Sequence, residues 1–146
     1  MNFIVKHKPL FYLLQFTWGL AINFIGFIVF CILLITKHKA NKFGPNVYMT
    51  VGKSWGGLSL GIFFFVGKED NIVHTKCHES GHSLQNIMFG PLFIFLVCIP
   101  SAIRYWYREL KYYRKDLEPK TKYDDIWFEG QATNLGYKYF QQYTLK

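Results

Sequence analysis

His78-Glu79-Ser80-Gly81-His82 decides how this chain is read, because two imidazoles stand four residues apart with a carboxylate directly after the first. On a helix, positions i and i+4 share a face. His78 and His82 then each offer a ring nitrogen to one cation such as Zn²⁺, at about 2.0–2.1 Å. Glu79 falls beside that cation, where a general base must sit to take the proton of an attacking water. Gly81 argues that the arrangement is built, since glycine inside a helix costs about 1 kcal/mol relative to alanine. The position therefore requires a small residue, for close approach of another backbone or of a substrate. The flanks are helix-compatible: Glu69-Asp70-Asn71 supply start signals, and Ile72, Val73, Leu84, Ile87 and Met88 supply apolar contacts.

The length of 146 residues bounds the chain to one domain with room for a membrane appendage. Half of the residues are hydrophobic and a fifth aromatic, which is apolar for a soluble domain of this size. The formal charge of +8 suits an anionic surface, and membrane lipid is the expected partner. Cys31, Cys77 and Cys98 are unevenly spaced and imply no disulfide framework. Cys77 points off the face that carries His78 and is not counted as a ligand.

Leu10 to Ile35 contains no charged residue. As one helix it would be roughly 39 Å long, against a hydrocarbon core of ~30 Å, and would span with some tilt. Lys6 and Lys8 bracket one end, and Lys37, Lys39 and Lys42 the other. No small-residue cleavage site follows, so the run reads as an uncleaved anchor in an integral membrane protein, expected in a bacterial cell membrane. The small excess of downstream lysines puts the rest of the chain on the cytoplasmic side.

Ile87 to Ile103 looks like a second span, interrupted by Gly90-Pro91 and Pro100. A single crossing would put everything downstream on the far side from His78 and His82, and Arg104 to Lys122 is too charged to cross back. The stretch is therefore a core helix or a partly inserted, re-entrant element. Beyond it, Arg104, Arg108, Lys111 and Lys115 fall on one helical face, and Ile103, Trp106, Tyr107, Leu110 and Tyr113 largely on another. That pattern suits a helix lying at a bilayer surface or a solvated basic face over a core. No recognition motif points to nucleic acid.

A metal held by two histidines needs a third protein ligand. After Pro119 the chain restarts with Asp124-Asp125, which reads as an N-cap pair, followed by Ile126 to Tyr137. On that helix Glu129, Ala132, Thr133, Gly136 and Phe140 share a face. Ala132 and Gly136 are small, so the helix can pack closely on its neighbour and bring Glu129 to the metal. Asp124 and Asp125 compete for the role from the cap, while Glu109 and Glu118 lie in charged surroundings. His74, one turn before His78, is left out of the metal set.

These residues carry a resemblance. The chain resembles the gluzincin class of zinc metallopeptidases, which pair H-E-x-x-H with a glutamate on a later helix. More closely, it is similar to small bacterial membrane-associated metallopeptidases carrying H-E-x-G-H-x-x-Q, then G-P-L and P-S, then E-x-x-A-x-x-L-G. Here those are His78 to His82 with Gln85, Gly90-Pro91-Leu92, Pro100-Ser101, and Glu129 with Ala132, Leu135 and Gly136. The match runs from Trp55 to Phe140. Thr133 departs from the pattern by standing where gluzincins often place an acidic group, which leaves Asn134, Gln85 or a backbone carbonyl to orient the histidines. The resemblance implies Zn²⁺ on His78, His82 and Glu129, with Glu79 as base in peptide-bond hydrolysis of a peptide or protein substrate. The oxyanion donor stays open among Tyr123, Tyr137 and Tyr139.

The expected architecture is mainly α with a small β-hairpin: an N-terminal tail and transmembrane helix over residues 1–42, then a minimal zincin-like helical domain over 43–146. The hairpin is read from Val47 to Val51, a glycine-rich turn through Gly52, Gly56 and Gly57, and a second run from Leu58 to Val66. Beside the zinc helix it would offer an edge to an extended substrate. Two other readings compete. One is a catalytically inactive membrane protein that keeps the metal for structure or partner binding. The other is a deformylase-like hydrolase, disfavoured because Cys31 and Cys98 sit in apolar runs.

Overall fold

Phe63 to Val66 is a continuous apolar run, the pattern of a strand covered on both faces, and it forms the middle of the sheet. The computed structural model describes residues 1–68 and 72–144, so the start signals read at Glu69-Asp70-Asn71 lie outside the described residues. The fold is mainly helical with a small mixed sheet of four strands. The elements are α1 (Asn2–Lys6), α2 (Lys8–Phe16), α3 (Leu20–Ile35), β1 (Ala40–Phe43), β2 (Asn46–Thr50), β3 (Gly57–Leu60), β4 (Phe63–Val66), α4 (Ile72–Phe89), α5 (Ile99–Lys111) and α6 (Trp127–Phe140). Short 3₁₀ and π turns connect several of them, notably Gly90–Leu92, Ile94–Cys98 and Tyr123–Asp125.

The strand order is β1-β2-β4-β3, with β1 and β3 antiparallel to their neighbours and β2 parallel to β4. The expected single hairpin is thus corrected. Val47 to Val51 and Phe63 to Val66 do pair, but in parallel, with Val47 opposite Phe63. The second run divides at Gly61, whose φ of +74° permits the tight reversal between β3 and β4. A further strand, β1, comes from the lysine-bearing segment assigned to the anchor, turning into β2 at Gly44 (φ +63°). The boundary expected between residues 42 and 43 falls inside it. Its exposed Lys42 suits an open sheet edge.

The N-terminal span is corrected as well. Among the described residues no single helix is long and apolar enough to cross a membrane. Leu10 to Ile35 breaks into α2 and α3, bent by 96° at residues 17–19. At 16 residues, α3 is about 24 Å long, short of the ~30 Å hydrocarbon core. The bend has a physical cause in two polar side chains that the hydropathy reading passed over. Asn23 donates from Nδ2 to Gln15 Oε1 (2.7 Å) and to the carbonyls of Gln15 and Gly19, and accepts the Ile62 N–H at 2.7 Å. Gln15 donates to the Ser83 carbonyl at 2.8 Å and accepts from Asn86 Nδ2 at 2.7 Å. All three amide side chains are fully buried. They bind the bend to the back of α4, and a Cβ at residue 19 would lie 2.3 Å from the Asn86 amide.

Inner residues of α3 cover one face of the sheet, with Phe30 and Phe63 rings 5.0 Å apart and Gly26 against Leu60. Phe64 points to the other face, stacked on Tyr48 at 5.3 Å. Lys76 of α4 lies over the same Tyr48 ring, which places α4 on that side. Ile87 to Ile103 does not continue as one straight helix. It turns through Gly90–Leu92 and Ile94–Cys98 into α5, and the two arms diverge by 117°. The turned path brings the first turn of α5 beside α6, where Ser101 meets Glu129.

Because the amide network is the joint between α3 and the rest of the fold, Asn23→Leu should lower unfolding stability by about 3 kcal/mol despite its greater hydrophobicity. It strands the Ile62 N–H and the Gln15 carbonyl, each worth about 1–3 kcal/mol when buried without a partner, while the Gly19 carbonyl keeps the Asn86 amide. Urea titration of the two proteins measures this, and equal midpoints would mean that α3 is not docked as described.

Candidate metal centre

Two glycines set the distance between the helices that carry the site. A Cβ at Gly81 would lie 1.9 Å from the Ala132 carbonyl oxygen, and one at Gly136 would lie 1.9 Å from the Cys77 carbonyl oxygen. α4 and α6 therefore meet backbone to backbone, as the small residues in both predicted. The pairing of residue 81 with 132 and of 77 with 136 makes the helices antiparallel. Glu129 then arrives opposite the two histidines, fully buried.

His78, His82 and Glu129 form the one group of His, Cys, Asp or Glu side chains among the described residues that could hold a metal ion. Glu129 Oε2 lies 3.1 Å from His78 Nε2 and 3.2 Å from His82 Nε2, and the two Nε2 atoms are 3.1 Å apart. Tetrahedral ligands at 2.0–2.1 Å from a zinc ion are separated by about 3.3–3.4 Å. The observed triangle is close to one face of such a tetrahedron.

The tautomers follow from the neighbours. Gln85 Nε2 donates to the Phe128 carbonyl (2.8 Å) and to Gln131 Oε1 (2.9 Å), so Gln85 Oε1 is free to accept His82 Nδ1–H at 2.7 Å. Thr133 Oγ1 donates to Asp124 Oδ2 at 2.9 Å and accepts His78 Nδ1–H at 2.8 Å. Both protons sit on Nδ1, and both Nε2 lone pairs face each other and the carboxylate. Three lone pairs in a buried triangle repel unless a cation lies among them, whether a proton or a metal. The electrostatics agree. Burial disfavours a charged His78, yet Glu129, Glu79 and Asp124 outweigh it and raise its pKa. Burial likewise pushes the Glu129 carboxyl up, but His78, His82 and Ser101 together hold it well below the usual carboxylate range.

The histidine-orienting acid missing at Thr133 is supplied one step away, by Asp124 through the Thr133 hydroxyl. Asp124 does not cap α6, whose N-cap is Ile126 with no side-chain bond. Asp125 instead accepts the Lys122 N–H at 2.8 Å. Glu79 is 4% exposed and lies under β3, where a Cβ at Gly57 would sit 2.3 Å from its Oε1. Its charge is felt at both His78 and Tyr123. Cys77 is not part of the group, and burial pushes its thiol up to about 11. His74 bonds to Tyr137 instead, at 3.0 Å.

Ser101, given no role from sequence, and Tyr123, one of the three oxyanion candidates, complete the surroundings. Ser101 Oγ donates to Glu129 Oε1 at 2.5 Å. Tyr123 has its ring 6.4 Å from that of His78; burial, then the nearby Glu129 charge, keeps its hydroxyl protonated. Its backbone is held from α5: Arg104 Nη2 donates to the carbonyls of Lys122 (2.8 Å) and Tyr123 (3.0 Å), and Arg108 Nη1 to that of Thr121 (2.9 Å). The only sequence signals were the Pro100-Ser101 pair and the spacing of two arginines read as a basic stripe.

No family model, curated protein or solved structure matches this chain.

Glu129→Ala should abolish stoichiometric metal binding by removing a donor. Gly136→Val should do the same while keeping all three donors, because the side chain forces α6 off the Cys77 carbonyl. Metal analysis of purified protein after dialysis reads both, and full metal in the valine variant would contradict the close-contact argument.

Proposed function

We propose that this chain is a membrane-associated, zinc-dependent endopeptidase of the gluzincin kind. The observation that carries the reading is the convergence of His78 Nε2, His82 Nε2 and Glu129 Oε2 with the Glu79 carboxylate close by. Two imidazoles and one carboxylate in a small tetrahedral face suit zinc among the common divalent ions. Zn²⁺ held by these three side chains supplies Lewis acidity, lowering the pKa of water to about 7 and polarising a carbonyl.

The chain's own groups do the rest. Glu79 accepts a proton from the attacking water as its oxygen bonds to the peptide carbon. It then passes that proton to the leaving amine as the C–N bond breaks. The Tyr123 hydroxyl, buried and protonated, donates a hydrogen bond to the carbonyl oxygen as it gains charge. β3 is an edge strand over Glu79, and an extended peptide would add alongside it as a further strand.

The membrane part of the proposal rests on helices that are inside out. Arg104 and Arg108 point inward to backbone carbonyls, while Ile103, Trp106, Tyr107 and Leu110 on the same helix are each more than half exposed. α3 likewise buries Asn23 and Gly26 and exposes Phe24, Phe27, Ile28 and Ile32. Such apolar surface is covered in a functioning protein, and the net charge of +8 favours anionic lipid as the cover.

One observation favours the second reading, a metal site kept for structure or partner binding. His78, His82 and Glu79 are all less than one-tenth exposed, and none of them lines the hollow along α6. The residue that separates the readings is Glu79. Glu79→Gln should keep stoichiometric zinc and lower cleavage of a quenched-peptide library by at least about 10²-fold; zinc binding by a wild type that cleaves nothing would favour the structural role. For the membrane, the wild type should float with vesicles containing phosphatidylserine, and Phe95→Ser combined with Ile103→Ser and Trp106→Ser should reduce the floated fraction severalfold. A wild type that stays with the soluble fraction would remove lipid as the partner.

A further inference from the structure

We infer that Ser101 is a positioning residue that holds Glu129 as a single-oxygen ligand and thereby ties the metal centre to α5. This rests on the metal reading of the triangle above. Glu129 has two oxygens and they are used differently. Oε2 faces the histidine nitrogens at 3.1 and 3.2 Å, and Oε1 takes the Ser101 hydroxyl proton at 2.5 Å. The carboxylate is fully buried. With Ser101 removed, Oε1 would lose its hydroxyl partner in a buried site, and rotation of the carboxylate toward a cation would offset that loss. A hydroxyl at residue 101 therefore selects one binding mode of the carboxylate over another.

The placement of Ser101 is specific. A serine inside a helix usually bonds to a carbonyl of its own preceding turn. This one reaches a side chain 28 residues later on another helix. It occupies the first turn of α5, directly after Pro100, where proline's fixed φ and missing N–H are tolerated. Arg104 and Arg108 follow at i+3 and i+7, on the same face, and fix the segment from Thr121 to Tyr123. One face of one helix thus sets both the third ligand and the tyrosine beside it. Neither ligand-bearing helix supplies that contact.

The test compares wild type, Ser101→Ala and Ser101→Thr by two readouts that need no substrate: zinc affinity by competition with a chromophoric chelator, and the visible absorption of the cobalt-loaded protein. Ser101→Ala should weaken zinc binding about 10–100-fold, as losses of groups that orient ligands do. It should also alter the cobalt bands as the carboxylate takes up a two-oxygen mode, and Ser101→Thr should restore both. An alanine variant with wild-type affinity and bands overturns the inference while leaving the metal centre standing. A threonine variant as weak as alanine, with unchanged bands in both, assigns Ser101 to packing and overturns it too. If the wild type itself binds neither ion, the ligand triangle fails first and this inference falls with it.

Discussion

The backbone contact between α4 and α6 is the constraint on which the rest of the structure depends. Side chains normally keep helix axes 8–10 Å apart. Here Gly81 and Gly136 remove the side chains at two points one helical turn apart on each helix, and carbonyl oxygens of the partner occupy the vacated space. A carboxylate on α6 can then reach imidazoles on α4 with its short side chain extended across the seam. Thr133 lies between the two contact points and meets His78 for the same reason. The ligand set, its orienting hydroxyl and the crossing of the helices are one geometric fact.

That seam also explains why polar groups dominate α4 where a core helix would be apolar. His78, Glu79, Ser80, His82, Ser83, Gln85 and Asn86 are all buried. Those on the α6 side serve the metal triangle, with Gln85 bonded to both His82 and α6. Those on the opposite side meet the bend between α2 and α3, where Asn86 and the Ser83 carbonyl bond to Gln15. α4 is a polar spine between two attachments. Each buried group costs free energy unless it is bonded, so the helix that carries the candidate metal triangle dictates what must pack on it.

The candidate site was legible because its determinants are local or compositional. Histidine spacing of four is a helical property, and Gly81, Ala132 and Gly136 announce a close crossing wherever a helix is assumed. Gln85, three residues after His82, could be named as an orienting group on the same grounds. Asp124 could not, since it acts through Thr133 from outside the helix, and acidic residues before a helix ordinarily cap it. Ser101 and Tyr123 arrive through the path of α5, which no periodicity encodes. The same limit governs the fold. Hydropathy averaged over Leu10 to Ile35 hides Gln15 and Asn23, two side chains whose hydrogen bonds turn one apparent span into a right-angled pair. β2 and β4 were read as strands, but parallel pairing across an intervening hairpin edge is a long-range choice that alternating residues do not reveal.

The inverted character of α5 follows from the same economy of contacts. Its inward face has fixed polar work: Ser101 on the ligand carboxylate, Arg104 and Arg108 on the carbonyls before the Tyr123–Asp125 turn. Guanidinium groups suit that role because a flat, permanently charged fork satisfies several carbonyls at once, and the two arginines also flank the Tyr123 ring at 5.6 Å each. With one face committed to the site, the apolar residues of α5 have only the outside left. The outward aromatic surface and the inward arginines are therefore two consequences of one requirement, and whatever covers that surface bears on the helix that holds the Glu129 carboxylate in place.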